Sequence, residues 1–127
     1  MRVVLWDTQC RGVSKDFAGG MGVGVYHGAG GLRGRLIRRF YTRDRRPVTL
    51  SYAYLAAIFR QFGHRVTYRL DRSPGRADLY VFHPALVSLD VELQVIRRLR
   101  QKNPSVPVLV VGPLVHALPE RFAELDV

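Results

Sequence analysis

Four short apolar runs, each closed by a turn signal or leading into a helical stretch, restrict this chain to one kind of architecture. "RVVLW" (2–6) is continuously apolar, as expected of a strand covered on both faces, and "RVTYRLD" (65–71) alternates, as expected of an edge strand. "ADLYVFHP" (77–84) and "VPVLVVGP" (106–113) complete the set, each ended by a proline. The intervening segments have helical period. In "TLSYAYLAAIFRQFG" (49–63), Leu50, Tyr54, Leu55, Ile58 and Phe62 recur at helical spacing before Gly63, a stop signal. "SLDVELQVIRRLRQKNP" (88–104) carries Leu89, Leu93, Ile96 and Leu99 along one face, and "LPERFAEL" (118–125) opens with Pro119 in its first turn.

Strands that alternate with helices imply an α/β fold with a doubly wound parallel sheet. Right-handed crossovers predict the strand order 2-1-3-4, with the winding direction reversing between strands one and three. Ligands of such sheets bind at that reversal, beyond the carboxyl ends of the strands. Here it is flanked by "DTQCRG" after strand one and "HPALVS" after strand three. Only "RSPGR" separates strands two and three, so the helix expected there is missing or compressed. The last residues, "LDV", fall where a fifth strand would begin. The expectation is a truncated fifth strand, with the edge of strand 106–111 covered by a further domain or by a second copy of the chain.

At 127 residues the chain is expected to be one domain, 1–127, with a Gly/Arg-rich insert at 8–46. No apolar run approaches the length of about 18 residues needed to span a membrane, and the opening run is too short for a signal peptide, so the expected compartment is the cytoplasm. A single cysteine, Cys10, excludes an internal disulfide, a four-thiolate zinc site and an iron–sulfur triad within these residues. The net charge of +10 invites a nucleic-acid reading. Eighteen of the twenty basic residues are arginine, and they are spread along the chain. One cluster, Arg33 to Arg46, holds seven arginines against Asp44 and includes Phe40 and Tyr41. It fits phosphate contact and base stacking, and equally a solvated connection or a docking surface.

The run "PVTLSYAYLAAIFRQFGHRVTYRLD", followed in order by "ADLYVF", "VPVLVVGP" and "HALPERFAELDV", resembles the cobalamin-binding domain that precedes the radical S-adenosylmethionine domain in many enzymes. The likeness covers residues 47–127 and "RVVLWD" at the start. It implies a flavodoxin-like, Rossmann-like fold that holds cobalamin with the corrin over the carboxyl ends of the strands. The residues it implies as cofactor-facing are Asp7, Thr8, Gln9, Gly12, His83, Pro84, Leu86, Gly112 and Pro113. The chain alone is then a binding domain. A [4Fe-4S] cluster and S-adenosylmethionine would belong to a downstream domain, whose reaction would be a methylation, a cyclisation or a rearrangement.

Related cobalamin proteins carry D-x-H-x-x-G after strand one, whose His binds cobalt from below. The matching residues here are Asp7, Gln9 and Gly12, so Gln stands in place of His. An amide oxygen is a poor donor to this nitrogen-preferring centre. The resemblance therefore implies base-off cobalamin with no protein His lower ligand. Two further departures are "HPAL" where relatives have S-x-L, and Gly112–Pro113 where they have two glycines.

Rival motifs are weaker. The insert "SKDFAGGMGVGVYHGAGGLRG" holds eight glycines, but no window fits G-x-G-x-x-G and no lysine follows a Walker-type run. It reads equally as a mobile loop and as a ligand clamp. His64 follows a helix stop, where a donor meets free carbonyls. His27 lies in the insert, and His116 is expected near the start of the last helix. His83, beside the winding reversal, is the histidine best placed for a ligand. A phosphoacceptor receiver shares the fold but needs acidic residues that "FHP" after strand three does not provide. The second function class is a basic interaction module that binds nucleic acid or an acidic partner through Arg33 to Arg46.

Overall fold

In a computed structural model, residues 1–8, 13–14, 25–26, 31–32, 50–70 and 73–125 are described. Four parallel strands form one sheet: β1 (Arg2–Trp6), β4 (Arg65–Arg69), β5 (Leu79–Phe82) and β6 (Val108–Val110), in the spatial order β4-β1-β5-β6. This is the expected order 2-1-3-4 of an α/β, flavodoxin-like sheet. Inside the insert, β2 (Val13–Ser14) and β3 (Val25–Tyr26) make a separate antiparallel pair.

Central placement explains the sequence of β1. It pairs on one side with β4, in the register Arg2 to Arg65 through Trp6 to Arg69, and on the other with β5, from Val3 to Leu79 through Leu5 to Val81. With helices on both faces, Val3 to Trp6 are all buried, which is why the run is apolar without alternation. At the edge, β4 alternates between exposed and half-buried residues.

The side chains of β1 sort the two helical layers. Val3 and Leu5 pack with Val81 and Tyr52 of helix α1 (Leu50–Gln61), whereas Val4 and Trp6 pack with Tyr80, Phe82 and the apolar stripe Leu89, Leu93, Ile96 and Leu99 of helix α2 (Leu89–Lys102). α2 obeys the expected periodicity and is preceded by a short 3-10 turn, Leu86–Ser88. Helix α3 (Pro113–Ala117), which the sequence reading missed, precedes α4 (Pro119–Ala123). Its first residue, Pro113, ends the apolar run 106–113, and the rest of it carries no helical period long enough to read. Proline at the first helical position starts both helices, because its missing N–H has no partner there anyway. His116 sits exposed in the last turn of α3, three residues before α4 begins.

α1 turns a different face inward from the one its spacing suggested. Leu50, Tyr54, Ile58 and Phe62 are 66%, 71%, 40% and 72% exposed, while Tyr52 is fully buried and Leu55, Ala56 and Phe59 pack beside it. Both faces of this helix are apolar, so periodicity does not choose between them. The phenol of Tyr52 decides, by finding two hydrogen-bond partners at the sheet.

The connection from β4 to β5 passes across β1 without a helix among its described residues. It runs on the α2 side, where Ala77 joins the core and the Tyr80 hydroxyl donates to the Gly75 carbonyl at 2.7 Å. The backbone N–H and guanidinium of Arg2 bond Asp78 at 2.7 and 3.1 Å, tying the starts of β1 and β5 together. No helix among the described residues is long and apolar enough to cross a membrane. Nor, among them, does a strand pair with the outer edge of β6.

Candidate functional site at the carboxyl edge of the sheet

β1 and β5 run in parallel, so the residues that follow them emerge side by side at one end of the sheet. Directly after β1, the Asp7 N–H donates to the Arg69 carbonyl at 2.8 Å, and its carboxylate accepts from the Tyr68 hydroxyl at 2.7 Å. Asp7 is 5% exposed. Next to it, the Thr8 hydroxyl donates to Glu92 Oε1 at 2.6 Å.

Glu92 holds this edge together. It is fully buried in the first turns of α2, and its Oε2 accepts from the Ala85 N–H and from the Ser88 hydroxyl, both at 2.8 Å. One carboxyl group thus ties the loop after β1 to the loop after β5. Burying it is tolerable only because both oxygens have donors.

Tyr52 makes a second bridge from the opposite face. Its hydroxyl donates to the Trp6 carbonyl at 2.9 Å and accepts from the His83 N–H at 2.8 Å. Burial first, and the Asp7 carboxylate second, push this phenol well above the ordinary tyrosine range. Only the neutral phenol serves as donor and acceptor together.

His83 is 8% exposed, with its ring edge-on to Tyr52 at a centroid distance of 6.0 Å. The other side of the ring meets Gly112. A Cβ added at Gly112 would lie 2.9 Å from His83 Nε2, and φ there is +112°, a region open essentially to glycine alone. The backbone room that sequence reasoning assigned to a ligand at Gly112 is therefore occupied by the imidazole of His83.

Of the sequence-predicted residues, Asp7, Thr8, His83, Pro84 and Gly112 gather at this edge. Pro84 is fully buried, Pro113 begins α3 and is exposed, and Leu86 is 56% exposed on the 3-10 turn. Gln9 and Gly12 lie outside the described residues, as do Cys10, His27 and the segment from Arg33 to Arg46. His64 follows α1 at the far, amino-terminal end of the sheet, where its N–H donates to the Phe59 carbonyl.

Tyr52, Tyr68, Ser88 and Glu92 were missed. Glu92 had a readable signal: it falls three residues after Leu89 and four before Ile96, on the apolar stripe of α2, where a solvated charge does not belong. Chemically, this edge is a polar network whose members are engaged with one another. Among the described residues, no group of three His, Cys, Asp or Glu side chains is placed to hold a metal ion. Compared with protein-family models, curated proteins and solved structures, the chain matches none.

Proposed function

We propose that this chain is a cytoplasmic cofactor-binding domain that carries a cobalamin over the carboxyl ends of β1, β5 and β6. The resemblance of residues 47–127 motivates the reading. The observation that carries it is the clamped gathering of Asp7, Thr8, His83, Pro84 and Gly112 at the point where the winding reverses. A flat ring laid on that edge would meet the backbone of the three loops and the exposed Leu86 and Pro113.

The residues present fit the ring better than they fit a standard tail pocket. His83 fills the gap at Gly112, and its backbone N–H is already held by Tyr52. The chain's own contribution is thus to hold the loops rigid through Glu92 and Tyr52, so that the ring meets a preorganised surface. Bound there, cobalamin would supply a cobalt centre for methyl-group transfer. The [4Fe-4S] cluster and S-adenosylmethionine of such an enzyme would lie in a downstream domain, which would also cover the edge of β6.

Titration with hydroxocobalamin, followed by desalting and visible absorption of the retained corrinoid, tests the reading. A stoichiometric, base-off spectrum is expected. Failure to retain any corrinoid overturns it and moves attention to Arg33 to Arg46 as a basic interaction segment, whose binding would weaken steeply with salt.

A further inference from the structure

A helix normally covers the α2 side of a doubly wound sheet between the second and third strands. Here the chain crosses that face in a nine-residue connection between Arg69 and Leu79. Beside α2 this leaves a groove of about 690 Å³. The volume suits a small molecule.

The floor and the rim of this groove differ in chemistry. Its floor includes Trp6, 5% exposed, whose ring is held by Phe82 at 5.2 Å and Tyr80 at 6.5 Å. Val95 and Leu99 of α2 make an apolar wall. On the rim stand Arg76 from the connection and Arg98 and Lys102, one helical turn apart on α2. None of the described residues lining the groove is acidic. The described ion pairs engage Arg2, Arg97 and Arg121, and none of the three rim cations takes part in one.

We propose that this groove binds a small phosphorylated molecule with a flat, apolar body, of the nucleoside diphosphate class. Its phosphates meet Arg76, Arg98 and Lys102, and its base lies along Trp6 and Leu99. Three cations on one rim, with no acidic partner among the described residues, suit a multiply charged anion. The apolar floor gives no reason to hold free phosphate. A groove of this size takes one nucleotide, whereas single-stranded nucleic acid needs an extended track. The groove lies on the α2 face; of the cobalamin-facing candidates it includes Thr8 but not His83 or Gly112, and a separate titration tests each reading.

Trp6 is the only tryptophan in the chain, so its fluorescence reports on the groove directly. Titration of the full chain with ADP is expected to change that emission saturably at one-to-one stoichiometry, with adenosine and pyrophosphate each binding at least about tenfold more weakly. Arg98→Ala and Lys102→Ala should each weaken ADP by about tenfold, the usual loss of one charged hydrogen bond. Arg60→Ala, which removes the same charge from α1 on the opposite face, should leave it unchanged. Because all three positions are exposed, matching circular dichroism is expected for the variants. No response at millimolar ADP, or equal weakening by Arg60→Ala, overturns the proposal. So does an oligonucleotide that binds more tightly than ADP and ignores the rim substitutions. None of these outcomes bears on the retention of hydroxocobalamin.

Discussion

The hydroxyl of Thr8 lies 2.6 Å from Glu92 Oε1 across 84 positions of sequence, and the other oxygen of the same carboxyl group holds the Ala85 N–H. The two loops that flank the winding reversal are therefore fixed to each other through one helical side chain. Their geometry depends on α2 more than on either loop.

Removing that side chain should loosen both loops. Glu92→Ala strands the buried Ala85 N–H and opens a cavity, and is expected to cost about 3 kcal/mol in urea denaturation. Glu92→Gln should cost only about 1 kcal/mol, because an amide oxygen can accept from Ala85 and Ser88 while its NH2 donates to the Thr8 oxygen. Amide exchange at Ala85 should accelerate in the alanine variant. In a double-mutant cycle, Thr8→Val should add little once Glu92 is gone.

Gly112 should tolerate substitution less well than Gly63, although both have positive φ. An added Cβ at Gly63 meets nothing within 4 Å, so Gly63→Ala is expected to cost about 1 kcal/mol from backbone strain alone. At Gly112 the same change also pushes against His83, and about 2–3 kcal/mol is expected. Shortening the neighbour, in the His83→Ala/Gly112→Ala double variant, should recover part of the loss. Equal costs at the two glycines would remove His83 from the account.

The raised pKa of Tyr52 gives stability a specific alkaline limb. The unfolded phenol ionises near pH 10, whereas the folded one resists ionisation, so the contribution is complete below about pH 10 and lost as pH rises towards the folded value. Tyr52→Phe leaves the Trp6 carbonyl and His83 N–H without this partner, and should cost about 1–3 kcal/mol at neutral pH. Its stability should then fall less than that of the wild type between about pH 9 and pH 11. Denaturant midpoints at the two pH values check the sign.

The orientation of α1 predicts an inverted mutational pattern. Tyr54→Ser and Phe62→Ser, at exposed apolar positions, should each change stability by no more than about 0.5 kcal/mol. Phe59→Ala, at a partly buried position packed against the sheet, should cost about 2 kcal/mol. The reverse ranking would mean that the face seen in the spacing is the one that packs.

The sequence by itself determined the architecture. A continuous apolar run at 2–6, an alternating one at 65–69 and a 3.6-residue stripe on α2 report burial on two faces, one face or one side, and with right-handed crossovers those burials agree with the observed order 2-1-3-4. It also placed the candidate residues Asp7, Thr8 and His83 together, since parallel strands bring them to a common end of the sheet. What only the tertiary structure decided is how that end is held. Tyr52 was hidden on a helix apolar on both faces, and Glu92 among leucines whose spacing it shares. The glycine at 112 is required by an imidazole 29 positions earlier in the chain. Periodicity records which side of an element avoids water. Which buried donor meets which acceptor depends on distances between elements far apart in the chain, and those exist only once the sheet has formed.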